Sequence, residues 1–147
     1  MRYQLVASPA FQQRWFAKGL TRAAARKAPV FAYSRKDTLQ SDFMQSRFGL
    51  TADAYTTHYL SLPQARLKAM RRGLGYGMVP HMLVSDLLKS RKRVDVAPNH
   101  FTDAKLYWHA WELQSPRMEM LSERAVHAAR RILSSKEPVK RSTMPKQ

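Results

Sequence analysis

Three closely spaced glycines, Gly73, Gly75 and Gly77, constrain the fold more than any other stretch of this sequence. Gly73 follows a basic helical pattern and is typical of a helix C-terminus, because glycine adopts the left-handed conformation without a Cβ clash. A short apolar strand is predicted over residues 76–79, and Pro80 ends it. Gly75 and Gly77 allow another backbone or a ligand to approach that strand closely. The order of helix, glycines and strand is the reverse of a dinucleotide-binding loop, so the sequence excludes that site.

The rest of the chain alternates predicted strands with predicted helices. Asp37 and Gln40 form a capping-box pattern before one helix, and Gly49 closes it. The alternation predicts an α/β domain with a largely parallel sheet flanked by helices, plus a C-terminal helix. Strands are also predicted over residues 2–7, 30–33, 55–60, 94–96 and 105–113, and helices over residues 8–19, 21–27, 37–48, 63–72, 82–89 and 115–133.

Length and composition limit the class of protein. With 147 residues the chain is one domain's worth of sequence, and 44% apolar residues are ordinary for a globular protein. The absence of cysteine excludes disulfides and thiolate metal sites. No apolar run approaches the ~18 residues of a membrane span, and the N-terminal apolar stretch is too short for a secretory signal. These features predict a cytoplasmic protein without a membrane segment.

The chain is strongly basic, with 26 lysines and arginines against 10 acidic residues, a net charge of +16. Such a charge attracts nucleic acid, anionic membrane surfaces or acidic partners; the alternative is a basic solvated surface without a dedicated partner. The densest basic cluster contains Lys89, Arg91, Lys92 and Arg93. We interpret these residues as charged side chains of a loop without a dedicated partner, and phosphate contact is the alternative.

Four sequence blocks, taken together, resemble one family. They are GLGYGMVPH at residues 73–81, LYWHAWELQSP at 106–116, YQLVASPAF at 3–11 and RKD at 35–37. The residues of these blocks, and the order of the blocks along the chain, resemble the C-terminal part of LysR-type transcriptional regulators. Within that family the chain is most similar to the ArgP/LysG branch, which controls basic amino acid export. The resemblance runs from about residue 3 to residue 133.

The resemblance implies a fold and a domain organisation. The family's effector region is similar to a periplasmic binding protein of type 2, with two α/β lobes and a ligand cleft between them. Residues 1–114 then correspond to the second lobe, and residues 115–133 to a helix that belongs to the first lobe. Residues 134–147 lack periodicity and are predicted to be a disordered basic tail. The body of the first lobe and the winged helix-turn-helix are not in this sequence, so we expect a truncated regulator.

The resemblance also implies a function. We expect a regulatory, effector-binding fragment that is not an enzyme, has no cofactor, and acts on DNA only indirectly. Its expected ligand is a basic amino acid, lysine or arginine, bound weakly. The expected macromolecular partner is a second copy or a full-length regulator. The alternative function is a basic nucleic-acid-binding or protein-interaction module that associates with full-length regulators.

Two loops are candidate ligand sites, because ligands of open α/β sheets gather beyond the carboxyl ends of the strands. The first loop contains Ser34, Arg35 and Asp37. Asp37 has the charge to bind a ligand ammonium group, and Arg35 the geometry to bind a carboxylate in bidentate fashion. The alternative is that Asp37 only caps the following helix.

The second candidate loop contains Ser61 and Gln64, at the start of a predicted helix. Relatives have a Ser-Ser-Glu-like turn there, where a hydroxyl and helix N–H groups can bind an anion. Leu62 and Pro63 remove the capping hydroxyl and one N–H donor from this chain. Arg66 also stands where relatives place an apolar residue. These differences predict that ligand binding differs from that of the relatives.

The sequence predicts no metal site and no catalytic nucleophile. The five histidines have no pair or carboxylate neighbour at metal-ligand spacing. No nucleophile elbow or phosphate-binding glycine loop is present. We therefore interpret His58, His81, His100, His109 and His127 as core or surface residues, and Trp108 and Trp111 as packing residues of a predicted strand.

Overall fold

The computed structural model describes residues 1–90, 92, 94–112 and 115–133, and the chain divides into two units. The larger unit is Arg2–Ala104; the smaller contains Met1 and the chain from Lys105 onward. The larger unit holds strands β1 (Arg2–Ala7), β2 (Val30–Ala32), β3 (Thr57–Tyr59), β4 (Gly77–Pro80), β5 (Val94–Asp95) and β6 (Phe101–Asp103), and helices α1 (Pro9–Trp15), α2 (Arg22–Lys27), α3 (Leu39–Phe48), α4 (Pro63–Arg71) and α5 (His81–Lys89). The smaller unit holds helix α6 (Pro116–Leu133).

The strand pairings make a mixed β-structure in which β1 is central. Strand β4 runs antiparallel along one edge of β1, and β5 and β6 run antiparallel along the other. Strands β2 and β3 are parallel to each other, and Val30 of β2 forms a parallel bridge with Tyr76, just before β4. The prediction of an α/β fold is confirmed, but its largely parallel sheet is wrong. The alternation of elements does not reveal which strands become neighbours, and here the first strand lies among strands that run against it.

Gly75 and Gly77 permit the close approach that the sequence predicted. A Cβ on Gly77 would lie 2.4 Å from the carbonyl oxygen of Phe31, and a Cβ on Gly75 would lie 2.6 Å from the Phe31 ring. The backbone N–H of Phe31 donates to the carbonyl of Tyr76 at 2.7 Å. These contacts hold β2 against the chain that leads into β4, and a larger residue at position 77 has no room there.

The two faces of β1 carry separate apolar clusters. Leu5 and Val6 are both fully buried but point to opposite faces, since side chains alternate along a strand. Leu5 packs in a large cluster with Phe11 of α1 and Met44 of α3. Val6 packs in a smaller cluster whose other members include Phe31, Met70 of α4, Val79 and Val84 of α5. Helices therefore cover both faces of the sheet.

The strand predicted over residues 105–113 is wrong for the residues that the structure describes there. Residues 105–112 form no strand, and Tyr107, Trp108 and Trp111 are 73%, 58% and 85% exposed. Strand β6 instead pairs with Arg2–Gln4, and β5 pairs with the end of β1. Both edges of β1 are thus occupied, and an apolar run forms a strand only where it finds a partner. Leu113 lies outside the described residues.

Helix α6 confirms the predicted C-terminal helix. It begins after Ser115, whose carbonyl accepts the N–H groups of Met118 and Glu119 at 2.9 and 3.0 Å. None of its residues is buried. Its apolar residues recur at helical spacing and form a stripe without a buried member: Met118, Leu121, Ala125, Ala128 and Ile132. Met118 is 50% exposed and Leu121 55%. The predicted disordered tail, residues 134–147, lies outside the described residues.

Candidate functional site

The two loops that the sequence singled out lie at one edge of the parallel strand pair. Strands β2 and β3 run in the same direction, so residues 33–38 and 61–66, which follow them, meet beyond their carboxyl ends. The Ser61 hydroxyl donates to the carbonyl of Tyr33 at 3.3 Å, and the Leu60 N–H donates to the carbonyl of Ala32 at 3.0 Å. We call these two segments together the edge site.

The first segment of the edge site is a hydrogen-bonded turn. The Ser34 hydroxyl accepts from the Lys36 N–H at 3.3 Å, and the Ser34 carbonyl accepts from the Asp37 N–H at 3.2 Å. The Asp37 carboxylate accepts from the N–H of Leu39 through Oδ1 at 3.2 Å. Asp37 therefore caps the start of α3, while its Oδ2 accepts no hydrogen bond from the described residues.

Gln40 does not complete the predicted capping box. Its side chain turns into the core, where Oε1 accepts from the backbone N–H of Met78 at 3.0 Å. Gln40 is accordingly only 3% exposed. The capping-box prediction is wrong for this residue because strand β4 offers a buried N–H donor that the local sequence does not reveal.

Arg35 contacts an aromatic ring across the edge site. Its guanidinium carbon lies 5.1 Å from the centre of the Tyr59 ring, at the end of β3. A guanidinium over a ring face gains a cation–π attraction. The contact links the two segments, and Arg35 itself remains exposed.

The second segment begins α4 without a polar side-chain cap. Leu62 occupies the N-cap position and gives no side-chain hydrogen bond, and Pro63 is the first residue of the helix. Gln64 is exposed in the first turn. The predicted loss of the capping hydroxyl is thus confirmed. Of the predicted ligand-binding residues, Ser34, Arg35, Asp37 and Ser61 each make a contact within the edge site, while Gln64 is exposed.

Arg66 is the residue of this edge whose importance the sequence interpretation missed. It is only 8% exposed, and its Nε is buried without a hydrogen-bond partner. Burial lowers the pKa of Arg66, and the nearby Asp37, Tyr3 and Tyr33 act in the opposite direction. Arg66 and the buried Met70 are four residues apart on α4. That helical spacing was the signal available in the sequence, because it places both side chains on one face.

Tyr3 of β1 belongs to the same charged environment. Burial raises the pKa of Tyr3, as does the Asp37 carboxylate, whereas Arg66 lowers it. The groups that act on the pKa values of Tyr3 and Arg66 are thus these two residues themselves, Tyr33 and Asp37, and we call these four residues the Arg66 cluster. The described residues include no ion pair within 4 Å between Asp37 and Arg66. The cluster thus brings together a carboxylate and a buried guanidinium that do not neutralise each other by direct contact.

The remaining candidates lie elsewhere. Lys89 ends α5 and Lys92 is exposed, while Arg91 and Arg93 lie outside the described residues. The imidazole of His81 hydrogen-bonds to the side chain of Gln4, and that of His100 to the carbonyl of Pro98 at 2.9 Å. Within the described ranges, no three histidine, aspartate or glutamate side chains come together in a way that suits a metal ion.

The fold and the edge site define a class of protein. Helices cover both faces of a mixed sheet, and polar and charged residues gather beyond the carboxyl ends of its parallel strands. Ligands of α/β proteins bind at such edges. This is the architecture of one lobe of a periplasmic-binding-protein-like effector domain.

Known proteins with similar sequences and folds belong to one kind of transcriptional regulator. The chain is 35% identical to the regulator ArgP of Aeromonas salmonicida over 133 residues, which are 90% of this chain and 44% of ArgP. The crystal structure of ArgP from Mycobacterium tuberculosis superimposes with a TM-score of 0.81 at 36% identity, over 88% of this chain and 44% of that one. Full-length LysG from Corynebacterium glutamicum, solved with the bound effector Arg, gives a TM-score of 0.72 at 26% identity, over 88% and 43%. No family model matches the chain.

These similarities confirm the resemblance seen in the sequence. The chain is a homologue of the C-terminal, effector-binding region of LysR-type transcriptional regulators, in the branch of ArgP and LysG. It spans less than half the length of the ArgP regulators that it matches, 44% for the one from Aeromonas salmonicida. Among the described residues, no helix is long and apolar enough to cross a membrane.

Proposed function

We propose that the edge site binds a basic amino acid, lysine or arginine, as the effector of a LysR-type regulator. The observation that supports this most is that the half-buried Asp37 carboxylate and the guanidinium groups of Arg35 and Arg66 all belong to the two segments that follow β2 and β3. LysG of Corynebacterium glutamicum, a relative in fold and sequence, was solved with bound Arg. On this proposal the chain is not an enzyme, and it acts in the cytoplasm, where promoter DNA lies.

Asp37 has the position to bind an ammonium group of the effector. Its Oδ1 is committed to the N–H of Leu39, and Oδ2 is left for a ligand. An ammonium–carboxylate hydrogen bond is charge-assisted and contributes about 1.5–3 kcal/mol. Ser34 stabilises the turn that carries Asp37, and the hydrogen bond from the Ser61 hydroxyl to the Tyr33 carbonyl links the two segments.

We expect lysine to bind with a dissociation constant in the millimolar range, because the edge site offers only a few polar contacts at an exposed edge. Titration of ¹⁵N-labelled protein should shift the amide signals of residues 33–38 and 61–66. Asp37→Asn should weaken binding about tenfold or more, since the amide keeps an oxygen for the Leu39 N–H but loses the charge.

Asp53→Asn is the matched control, because Asp53 is an exposed acid that contacts neither segment of the edge site. It should leave lysine binding unchanged. Equal affinity in Asp37→Asn and the parent would contradict the role of Asp37. A micromolar dissociation constant, or shifts confined to other loops, would show that the ligand binds elsewhere.

We further propose that residues 1–114 are the second lobe of the effector region and that the helix of residues 115–133 packs against another protein surface. The helix has a half-exposed apolar stripe with Met118 and Leu121 near its start. Its partner on this proposal is a second copy or a full-length regulator, and contact with DNA passes through that regulator.

Leu121→Lys should abolish self-association, as measured by sedimentation velocity over a range of concentrations. Leu121 is 55% exposed, so its replacement should change the free energy of unfolding by less than about 0.5 kcal/mol. Glu123→Gln on the same helix changes the net charge in the same direction and is the control for electrostatic repulsion. A monomeric parent protein at all concentrations would contradict self-association through α6.

A further inference from the structure

We propose that Arg66 is a carboxylate-binding residue, and that Arg66 and Asp37 together recognise the zwitterionic head group of an α-amino acid. This inference rests on the proposed effector site and deepens it, because it assigns the two charged groups of the ligand to two named residues. It also separates recognition of the head group from selection of the amino acid side chain.

Arg66 holds a charged group in a buried position. A guanidinium carries five N–H donors and no acceptor, and it stays charged in proteins. Arg66 is only 8% exposed, and its Nε is buried without a hydrogen-bond partner among the described residues. An isolated buried charge is strongly unfavourable unless a partner with matching hydrogen-bond geometry completes it. An oxyanion that accepts two parallel N–H bonds is that partner.

The surroundings of Arg66 indicate where such an anion would lie. Asp37, Tyr3 and Tyr33 are the groups whose charges act on Arg66, and they belong to β1 and to the segment after β2. Arg66 belongs to the second segment of the edge site, and these groups are close enough to act on its charge. The described residues show no direct ion pair between Arg66 and Asp37, so neither charge is taken up by the other.

A free α-amino acid has the complementary pair of charges at short separation. Its carboxylate matches the guanidinium of Arg66, and its ammonium group matches Oδ2 of Asp37. Asp37 is the acid that acts on the charge of Arg66, so on this proposal the pair binds the α-ammonium and α-carboxylate groups. The side chain of the ligand is then selected outside the Arg66 cluster.

Three probes separate the charged groups of the ligand. Acetate supplies a carboxylate alone, cadaverine supplies the two amines of lysine without its carboxylate, and lysine supplies all three groups. The readout is the side-chain Nε–H signal of Arg66 in ¹⁵N-labelled full-length chain, together with the amide signals of residues 33–38. We expect acetate and lysine to shift the Arg66 Nε–H signal saturably, and cadaverine and equal concentrations of sodium chloride to leave it in place.

Arg66→Met is the decisive variant, and its stability and binding should change in different directions. Methionine removes the uncompensated buried charge and keeps an unbranched apolar side chain beside Met70, so the melting temperature should stay the same or rise. Lysine and acetate should bind at least about tenfold more weakly. Arg71→Met, an exposed arginine of the same helix, is the matched control and should bind both ligands as the parent does. A melting temperature that falls together with unchanged binding would assign Arg66 a structural role only.

The outcomes distinguish this inference from the proposed function. Lysine binding at the edge site with an unshifted Arg66 Nε–H signal, and with full affinity in Arg66→Met, would overturn the inference and leave the proposed function standing. Acetate binding at Arg66 without lysine binding would support the carboxylate-binding role of Arg66 and overturn the proposal that an amino acid is the effector. The absence of any shift with either ligand would overturn both.

Discussion

Gly77→Ala is expected to destabilise the larger unit by about 3 kcal/mol, a large part of the ~5–15 kcal/mol by which domains of this size are stable. The added Cβ would lie 2.4 Å from the carbonyl oxygen of Phe31, and that oxygen belongs to the backbone of the neighbouring strand. Neither strand can yield without breaking the hydrogen bond from Phe31 N–H to the Tyr76 carbonyl. Urea denaturation followed by circular dichroism measures the loss.

Gly19→Ala is the control for this prediction. A Cβ at Gly19 meets no atom within 4 Å, but its φ of +84° lies in the left-handed region, so alanine carries a conformational cost of about 1 kcal/mol. Gly77 has no positive φ, so the stability lost in Gly77→Ala would come from the steric contact alone. If Gly77→Ala lost no more unfolding free energy than Gly19→Ala, the result would contradict the close packing of β2 against β4.

Tyr76→Ala is expected to cost about 3–5 kcal/mol of unfolding free energy, as for other large buried aromatic residues. Tyr76 is fully buried, and its ring centre lies 5.0 Å from that of Phe16 and 5.8 Å from that of Phe11. Removing the ring leaves a cavity at the centre of the large apolar cluster. The same denaturation experiment, with near-ultraviolet circular dichroism as a second probe of aromatic packing, checks this expectation.

Tyr76→Phe separates the ring from the hydroxyl. Among the described residues the hydroxyl donates to the sulfur of Met44, at 3.8 Å, and sulfur is a weak acceptor. Burial raises the pKa of Tyr76, in keeping with an apolar environment for that group. We expect a change of less than about 1 kcal/mol in this variant. A loss equal to that of Tyr76→Ala would mean that the hydroxyl, rather than the ring, holds this part of the core.

Much of the edge site was visible in the sequence, but its central residue was not. Ser34, Arg35, Asp37 and Ser61 were predicted because they follow apolar strand patterns, and the structure brings them to one edge. Arg66 was noted only as a charged residue at an apolar position. Two of the groups that act on its charge, Tyr3 of β1 and Asp37 after β2, are distant from it in sequence. No local pattern reveals such neighbours.

The sequence by itself determined the local elements of this protein. Three local signals predicted most element positions: glycine at the ends of helices, Ser8 and Pro9 at the start of α1, and the helical periodicity of α6. They are visible in the sequence because backbone conformation and capping depend on residues a few positions apart. The close approach at Gly77 was predicted for the same reason, since only glycine lacks the atom that would prevent it.

Tertiary structure decided the direction of the strands, the partner of each edge and the environment of buried polar groups. Strand β1 lies between strands that run against it, residues 105–112 form no strand while β6 pairs with β1, and the Gln40 side chain accepts from the N–H of Met78 instead of capping α3. These outcomes depend on which distant segments compete for the same hydrogen-bonding groups and the same buried volume. Such competition is resolved only when the whole chain packs, because a backbone group that is paired with one segment is no longer available to another.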